Sequence, residues 1–217
     1  MSVLKEDQKR IVQDLFEKQL RGEVRVVVFT RESKECEYCS DTKELLTDIS
    51  ELSPKIKLEI HDLDAERELA QQLGVDKAPA TVLISPKGSK LYFFGIPSGY
   101  EFKSLLEDLI DVSTNSTRLS ESTKSKVKSI AKPVSIKVFV TPMCPYCPSA
   151  VRTAHQFSLE NPMIRAEMIE AMEFSDMAQK YSVMAVPKIV VNDSVEFEGA
   201  VPENLFAERI LSALSQG

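Results

Sequence analysis

Long apolar runs are missing from this 217-residue chain, and none approaches the ~20 residues that a membrane span needs. No membrane partner is therefore expected. The start, Met1 to Glu6, has no apolar h-region, so the expectation is a cytoplasmic protein without a secretory signal. Also absent are a Gly-x-Gly-x-x-Gly turn and a P-loop, and no nucleotide or other cofactor site is predicted. Positive charge is in deficit: 27 Lys and Arg face 33 Asp and Glu, with no basic stripe, which disfavours a nucleic-acid partner. That deficit is local, since residues 1–112 carry a net −6 and residues 113–217 a net zero. Solubility accounts for most of these charges. Histidine is scarce as well. Neither His61 nor His155 is close enough in sequence to the cysteines to serve as a base, and both read as ordinary surface or core residues.

Cysteine is sparse too, but its placement is informative. Four cysteines form two Cys-x-x-Cys motifs, Cys36-Glu37-Tyr38-Cys39 and Cys144-Pro145-Tyr146-Cys147. Each first cysteine stands 43 residues ahead of a proline, Pro79 or Pro187, so both landmarks share an offset of 108. Such a match implies one fold present twice, with a thiol pair retained in each copy. In a cytoplasmic protein, cysteine pairs are more often redox-active or metal-binding than structural. A zinc site shared by all four is disfavoured, because Cys39 and Cys144 are 105 residues apart and each pair lies between a strand and a helix. Purely structural bridges would close loops too short to add much stability.

The repeat makes the elements legible. Val24–Thr30 and Val134–Val140 are β-branched runs that read as buried strands leading into the two motifs. Helices follow, with Leu45, Leu46 and Ile49 apolar in one and Val151, Ala154 and Phe157 in the other, ending near Pro54 and Pro162. Then come strands at 56–60 and 164–169, helices at 69–75 and 177–183, and hairpins at 81–94 and 188–197. Terminal helices are predicted at 100–112 and 202–214, and each copy also opens with a helix, at 5–20 and 120–130. The fold class is α/β: two units, 1–113 and 118–217, each a mixed sheet flanked by helices. The connection is assigned to Ser113–Thr117, short enough that the units should pack together. Met163, Met168, Met172, Met177 and Met184 read as core filling.

Strand, Cys-x-x-Cys, helix has a chemical purpose. The first cysteine is expected at the helix N-terminus, where free N–H groups and the dipole favour a thiolate. The second is expected one turn into the helix. Cys36 and Cys144 would then attack, and Cys39 and Cys147 resolve the mixed disulfide. Pro145 and Pro148 are both placed in the first helical turn. Tyr38 and Tyr146 either form an apolar rim for substrate or pack against the helix start.

With these motifs and spacings, the whole chain resembles the protein disulfide oxidoreductases of thermophilic archaea and bacteria, which carry two thioredoxin/glutaredoxin-like units. The second motif of that family usually reads Cys-Pro-Tyr-Cys, as here. The resemblance implies an enzyme that reduces, forms and reshuffles protein disulfides, exchanging electrons with a thioredoxin-reductase-like flavoprotein. It also implies that Pro79 and Pro187 are cis, with Ala78 and Val186 offering their backbone to an extended substrate. Two departures stand out. Where thioredoxins bury an Asp in the strand before the motif, this chain has Thr30 and apolar residues in one copy and Val138 in the other. Proton handling then rests on water, the dithiol itself or a carboxylate elsewhere. The Gly-Gly turn of glutathione-using glutaredoxins is replaced by Gly95-Ile96 and Gly199-Ala200.

The two sites are not expected to be equivalent. Glu32, Glu35 and Glu37 crowd Cys36, offset only by Arg31 and Lys34, whereas no charge occurs from Val138 through Val151. Carboxylates disfavour a thiolate, so Cys144 is expected to be the more reactive. Two other readings stay open: an electron carrier for a peroxidase, akin to the paired thioredoxin-like domain of alkyl hydroperoxide reductase flavoprotein, or a peptide-binding chaperone with incidental thiols. The former relative generally keeps only one of its two cysteine pairs.

Overall fold

The computed structural model describes residues 3–32 and 36–215. The first half runs α1 (Glu6–Gln19), β1 (Val24–Thr30), α2 (Cys39–Glu51), β2 (Ile56–Asp62), α3 (Arg67–Leu73), β3 (Ala80–Ile84), β4 (Lys90–Phe94) and α4 (Glu101–Thr114). The second repeats that order with α5 (Glu121–Lys128), β5 (Val134–Val140), α6 (Cys147–Glu160), β6 (Ile164–Glu170), α7 (Ser175–Lys180), β7 (Lys188–Val191), β8 (Val195–Glu198) and α8 (Glu203–Ser215). Three strands, β1, β5 and β7, have the limits expected from their β-branched runs. The last helix of the first unit differs: α4 continues through Ser113 and Thr114 and ends on Asn115 in the left-handed conformation. Ser113, expected in the connection, is buried, with its hydroxyl bonded to Ile110 O and accepting from Arg21 N. A polar side chain that satisfies the backbone from inside is easily mistaken for a linker residue.

In each unit the first strand pairs parallel with the second and antiparallel with the third, which continues into the hairpin. The units then join edge to edge, β4 lying parallel to β6 with Phe94 opposite Ile169. One eight-stranded sheet results, in the order β2-β1-β3-β4-β6-β5-β7-β8. This joint is head to tail. It unites the hairpin edge of one unit with the opposite edge of the other, so the two dithiols meet different neighbours.

Alternation along the strands divides the core into two layers. Val24, Val26 and Val28 face the cluster built with α1, α2, α4, α5, α6 and α8, while Val27 and Phe29 face the side covered by α3. Full burial of side chains such as Phe16, Phe93 and Phe157 contributes roughly 1.5–3 kcal/mol each. The methionines follow the core-filling expectation only in part, Met177 packing against the cluster on the α3 side. Met168 is fully buried in β6, but Met163, Met172 and Met184 are 45%, 76% and 89% exposed. The latter two lie on loops beside strand ends rather than on the sheet.

Between the units, the inner faces of α4 and α6 are charged. Asp108 is fully buried and accepts from Arg152 and from His155 Nδ1, the latter at 2.6 Å. His155 Nε2 lies 3.2 Å from Tyr92 O, and Arg152 also reaches Glu107 and Asp111. A buried network of this kind fixes how the two helices register, because neither can slide without stranding a charge.

Candidate active sites

The chain leaves β1 and β5 and reaches each dithiol at the start of the next helix. Regular helix begins at the second cysteine: Cys39 opens α2 and Cys147 opens α6. Cys36 and Cys144 therefore stand in the turn before the helix, and the second cysteine is not one turn inside it. Of the two prolines, Pro148 lies in the first turn and Pro145 in the preceding one. The outer sulfurs still face the end of the helix dipole.

Accessibility divides the sulfurs in the same way in both units. Cys36 and Cys144 are half-buried, while Cys39 and Cys147 are 5% and 0% exposed. Cys36 and Cys39 form a disulfide, with Cα atoms 5.4 Å apart; Cys144 and Cys147 are free thiols. The inner sulfurs are met by the strand end: Arg31 N donates to Cys39 Sγ at 3.2 Å, and the Thr141 backbone plays the same part for Cys147. Burial and the neighbouring Cys144 push the Cys147 thiol far above its ordinary range.

Both signature prolines follow cis peptide bonds, Ala78–Pro79 and Val186–Pro187. They face the dithiols, with Cys144 Sγ 3.5 Å from Val186 O and Ala78 and Pro79 lining one cleft with Cys36. Tyr38 lines that cleft and Tyr146 is 69% exposed beside its own motif. Of the histidines, His61 pairs with Glu66 at 2.8 Å and His155 with Asp108, so both are engaged away from the thiols.

At the first dithiol Glu37 lines the cleft with Cys36, as expected, and further charges come from beyond the motif. Lys34 and Glu35 lie outside the described residues, and the Arg31 guanidinium is taken up by Asp64 at 2.7 Å. Each unit also places carboxyls toward the other's dithiol. Across the sheet Ala80 is opposite Phe94, and Phe94 opposite Ile169, so the end of β6 lies two strands from Pro79. There Glu170 is buried and Glu173 accepts from Ile96 N at 2.7 Å. Glu173 joins Met172 in the wall of the cleft over Cys36. Burial, with Glu170 and Glu37 nearby, raises Glu173 to about 7.

At the second dithiol the carboxyl is Glu101, the first residue of α4. It is 2% exposed, and neither oxygen makes a well-formed hydrogen bond among the described residues. Burial raises it to about 7, countered only in part by the Ser104 hydroxyl, and its charge acts on Cys147. A buried carboxyl without a well-formed hydrogen bond, whose charge reaches Cys147, is a candidate proton acceptor. Sequence reading missed it because the second motif's own surroundings are uncharged. The available signal was an acidic residue on the inner stripe of α4, in line with Leu105, Asp108 and Val112.

The thioredoxin domain model matches residues 134–212. A thioredoxin of Methanocaldococcus jannaschii is 42% identical over 82 residues, covering 37% of this chain and 96% of that protein. A subunit of the alkyl hydroperoxide reductase of Staphylococcus aureus is 29% identical over 157 residues, 72% of this chain. The chain spans only 28% of that relative's length. Among solved structures, a protein disulfide oxidoreductase from Aeropyrum pernix superposes with a TM-score of 0.91 at 33% identity, covering 99% of this chain and 96% of that one. Alike over nearly their full lengths and sharing the doubled architecture, the two are kin: this chain belongs to the thioredoxin-fold protein disulfide oxidoreductases.

Proposed function

We propose that this protein exchanges dithiols for disulfides on protein substrates at both motifs, Cys36 and Cys144 attacking, Cys39 and Cys147 resolving. The observation that carries the reading is the matched pair of outer accessible and inner buried sulfurs, each facing a cis-proline loop. The thiolate of Cys144 attacks a substrate S–S bond, forming a mixed disulfide and releasing one substrate thiolate. Cys147 passes its proton to Glu101 and attacks the Cys144 sulfur. That closes Cys144–Cys147 and releases the second substrate thiolate, so two electrons leave the dithiol and the substrate is reduced. Run backwards, the same steps oxidise a substrate dithiol.

Reduction, formation and isomerisation share this chemistry, and the potentials of the two dithiols select among them. The Cys144 site is the faster of the two in this reading, because Glu37, Glu170 and Glu173 oppose a thiolate at Cys36. Ala78, Pro79, Val186 and Pro187, with Tyr38 and Tyr146, form the substrate-facing surfaces. The units are taken as 1–113 and 118–217. Redox proteins are the partner class; a thioredoxin-reductase-like flavoprotein would return electrons, and the cytoplasm is the proposed location. Among the described residues no helix is long and apolar enough to cross a membrane. The likeness to a component of alkyl hydroperoxide reductase supports a second reading, electron delivery to a peroxidase.

Insulin disulfide reduction tests the main reading. Wild type should catalyse it, Cys144→Ser should lose most of the rate and Cys36→Ser less. Full protein-holding activity with no reductase activity would overturn it in favour of a chaperone.

A further inference from the structure

The two dithiols offer a substrate different surroundings. Around Cys144 the exposed side chains are apolar: Met143, Tyr146 and Met184 are 82%, 69% and 89% exposed. Soft, flexible surfaces of this kind accept varied partners. Over Cys36 lies a cleft of about 210 Å³, walled by Glu37 and Tyr38 of the first unit and Met172 and Glu173 of the second. A space this size is below that of a drug-sized ligand site and suits one side chain.

We infer that this cleft is a subsite for a cationic side chain, so that the Cys36–Cys39 dithiol prefers proteins whose reacting cysteine is flanked by Lys or Arg. The inference rests on the dithiol reading above. Its geometry is built, not accidental. Glu173 is held by Ile96 N at 2.7 Å, and behind it Glu170 is 3% exposed and accepts from Glu173 N at 2.6 Å. The second oxygen of Glu170 has no hydrogen-bond partner among the described residues. Glu37, Asp41, Glu170 and Glu173 all act on the Tyr38 phenol at the cleft wall. Among the described residues the cations on the bounding segments are engaged: Arg31 with Asp64, and Lys77 with Asp76 and over the Phe94 ring, 4.0 Å from its centroid. Among the described residues the carboxylates therefore outnumber the free cations, and an entering Lys or Arg would supply a partner. Each such pair in a half-open site multiplies a rate a few-fold, and two acting together by about tenfold.

The same arrangement sets a pH window. With Glu173 held near 7 by burial and by Glu170 and Glu37, the cleft gains charge as pH rises through neutrality. Preference for a cation is then strongest above that point and weakens below it. High salt should weaken it too, since the cleft is open to solvent.

The test uses the 217-residue chain with one dithiol at a time, Cys144→Ser/Cys147→Ser or Cys36→Ser/Cys39→Ser. Two disulfide peptides, alike except for Lys or Glu beside the cysteines, are reduced at pH 8 and low salt. At the Cys36 dithiol the Lys peptide should react about tenfold faster than the Glu peptide, against about twofold at the Cys144 dithiol. Glu173→Gln and Glu37→Gln should each lower the ratio severalfold, and the latter changes an exposed residue that folding does not need. Equal rates for the two peptides, or a ratio that neither substitution moves, would overturn the subsite and leave dithiol exchange standing. Failure of both single-dithiol chains to reduce either peptide would instead overturn the reading on which it rests.

Discussion

Tyr100, in the first unit, donates its backbone N–H to Pro142 O of the second at 3.0 Å, and this bond seats the start of α4 against the turn that carries Cys144. Glu101 follows immediately and is buried, and its charge acts on Cys147. In the proposed exchange, the second dithiol would thus take its acid–base group from the other unit.

The first prediction concerns that group. Glu101→Gln, in a chain whose only dithiol is Cys144–Cys147, should slow disulfide reduction by about 10²-fold, the lower end of what a positioned base contributes. Wild-type rates should rise as pH passes about 7, where Glu101 ionises, and the variant should lack that inflection. Rapid-mixing kinetics should locate the loss in closure of Cys144–Cys147, leaving formation of the mixed disulfide unchanged.

The same substitution should stabilise the fold at alkaline pH. Glu101 is raised to about 7 in the folded chain from an ordinary 4.5. Its contribution is therefore fully present below the lower value and lost as pH climbs through the higher. Relative to Glu101→Gln, wild type should weaken between those values and level off above 7, by on the order of 3 kcal/mol. Thermal unfolding of both chains across that range reads the difference, and other buried acids cancel in it.

Much of this was legible along the chain, and the missing part has one physical cause. Val24–Thr30 and Val134–Val140 announce themselves through β-branched runs, and Cys36, Cys144, Pro79 and Pro187 through an equal offset. These are signals within one unit. Glu101, Glu170 and Glu173 act across the β4–β6 joint, where the partner is more than 40 residues distant and no local pattern marks it. What the sequence did carry was indirect: charged residues on the inner stripes of α4 and α6, where the pattern called for apolar ones.

Those stripes yield a third prediction. Asp108→Asn removes the buried charge that Arg152 and His155 share, and breaking a buried pair costs about 3–5 kcal/mol. Arg152 keeps Glu107 and Asp111, so the lower figure is expected. Urea unfolding should show a lower midpoint with an unchanged slope. Because α4 and α6 set the place of Glu101, reduction at the Cys144 dithiol should suffer more than at the Cys36 dithiol.

Alkylation separates the inner and outer sulfurs. In the reduced chain at pH 7, iodoacetamide should label Cys144 well before Cys147, which is fully buried and whose thiol is pushed upward by burial. Peptide mapping by mass spectrometry gives the order. Faster labelling of Cys147 would reverse the roles assigned to the pair.

Two glycines on the β4–α4 connection touch the two sites separately, and this permits a last test of the crossed arrangement. Gly95, at φ +95°, leaves no room for a Cβ against Glu170 and Glu173, and Gly99, at φ +59°, none against Pro142. Alanine at either position also enters the left-handed region, at a cost of about 1–2 kcal/mol before any clash. The stability losses should therefore be similar, but the functional losses should not. Gly95→Ala displaces the carboxyls by Cys36 and should alter only that dithiol's rates and pH profile. Gly99→Ala pushes away the turn before Cys144, withdraws Glu101 from Cys147 and should slow only the second dithiol. Each is measured in chains that keep one dithiol, at a temperature where both variants are fully folded. Equal damage to both dithiols by either variant would mean that the connection acts on the fold as a whole, and that each unit does not equip the other's site.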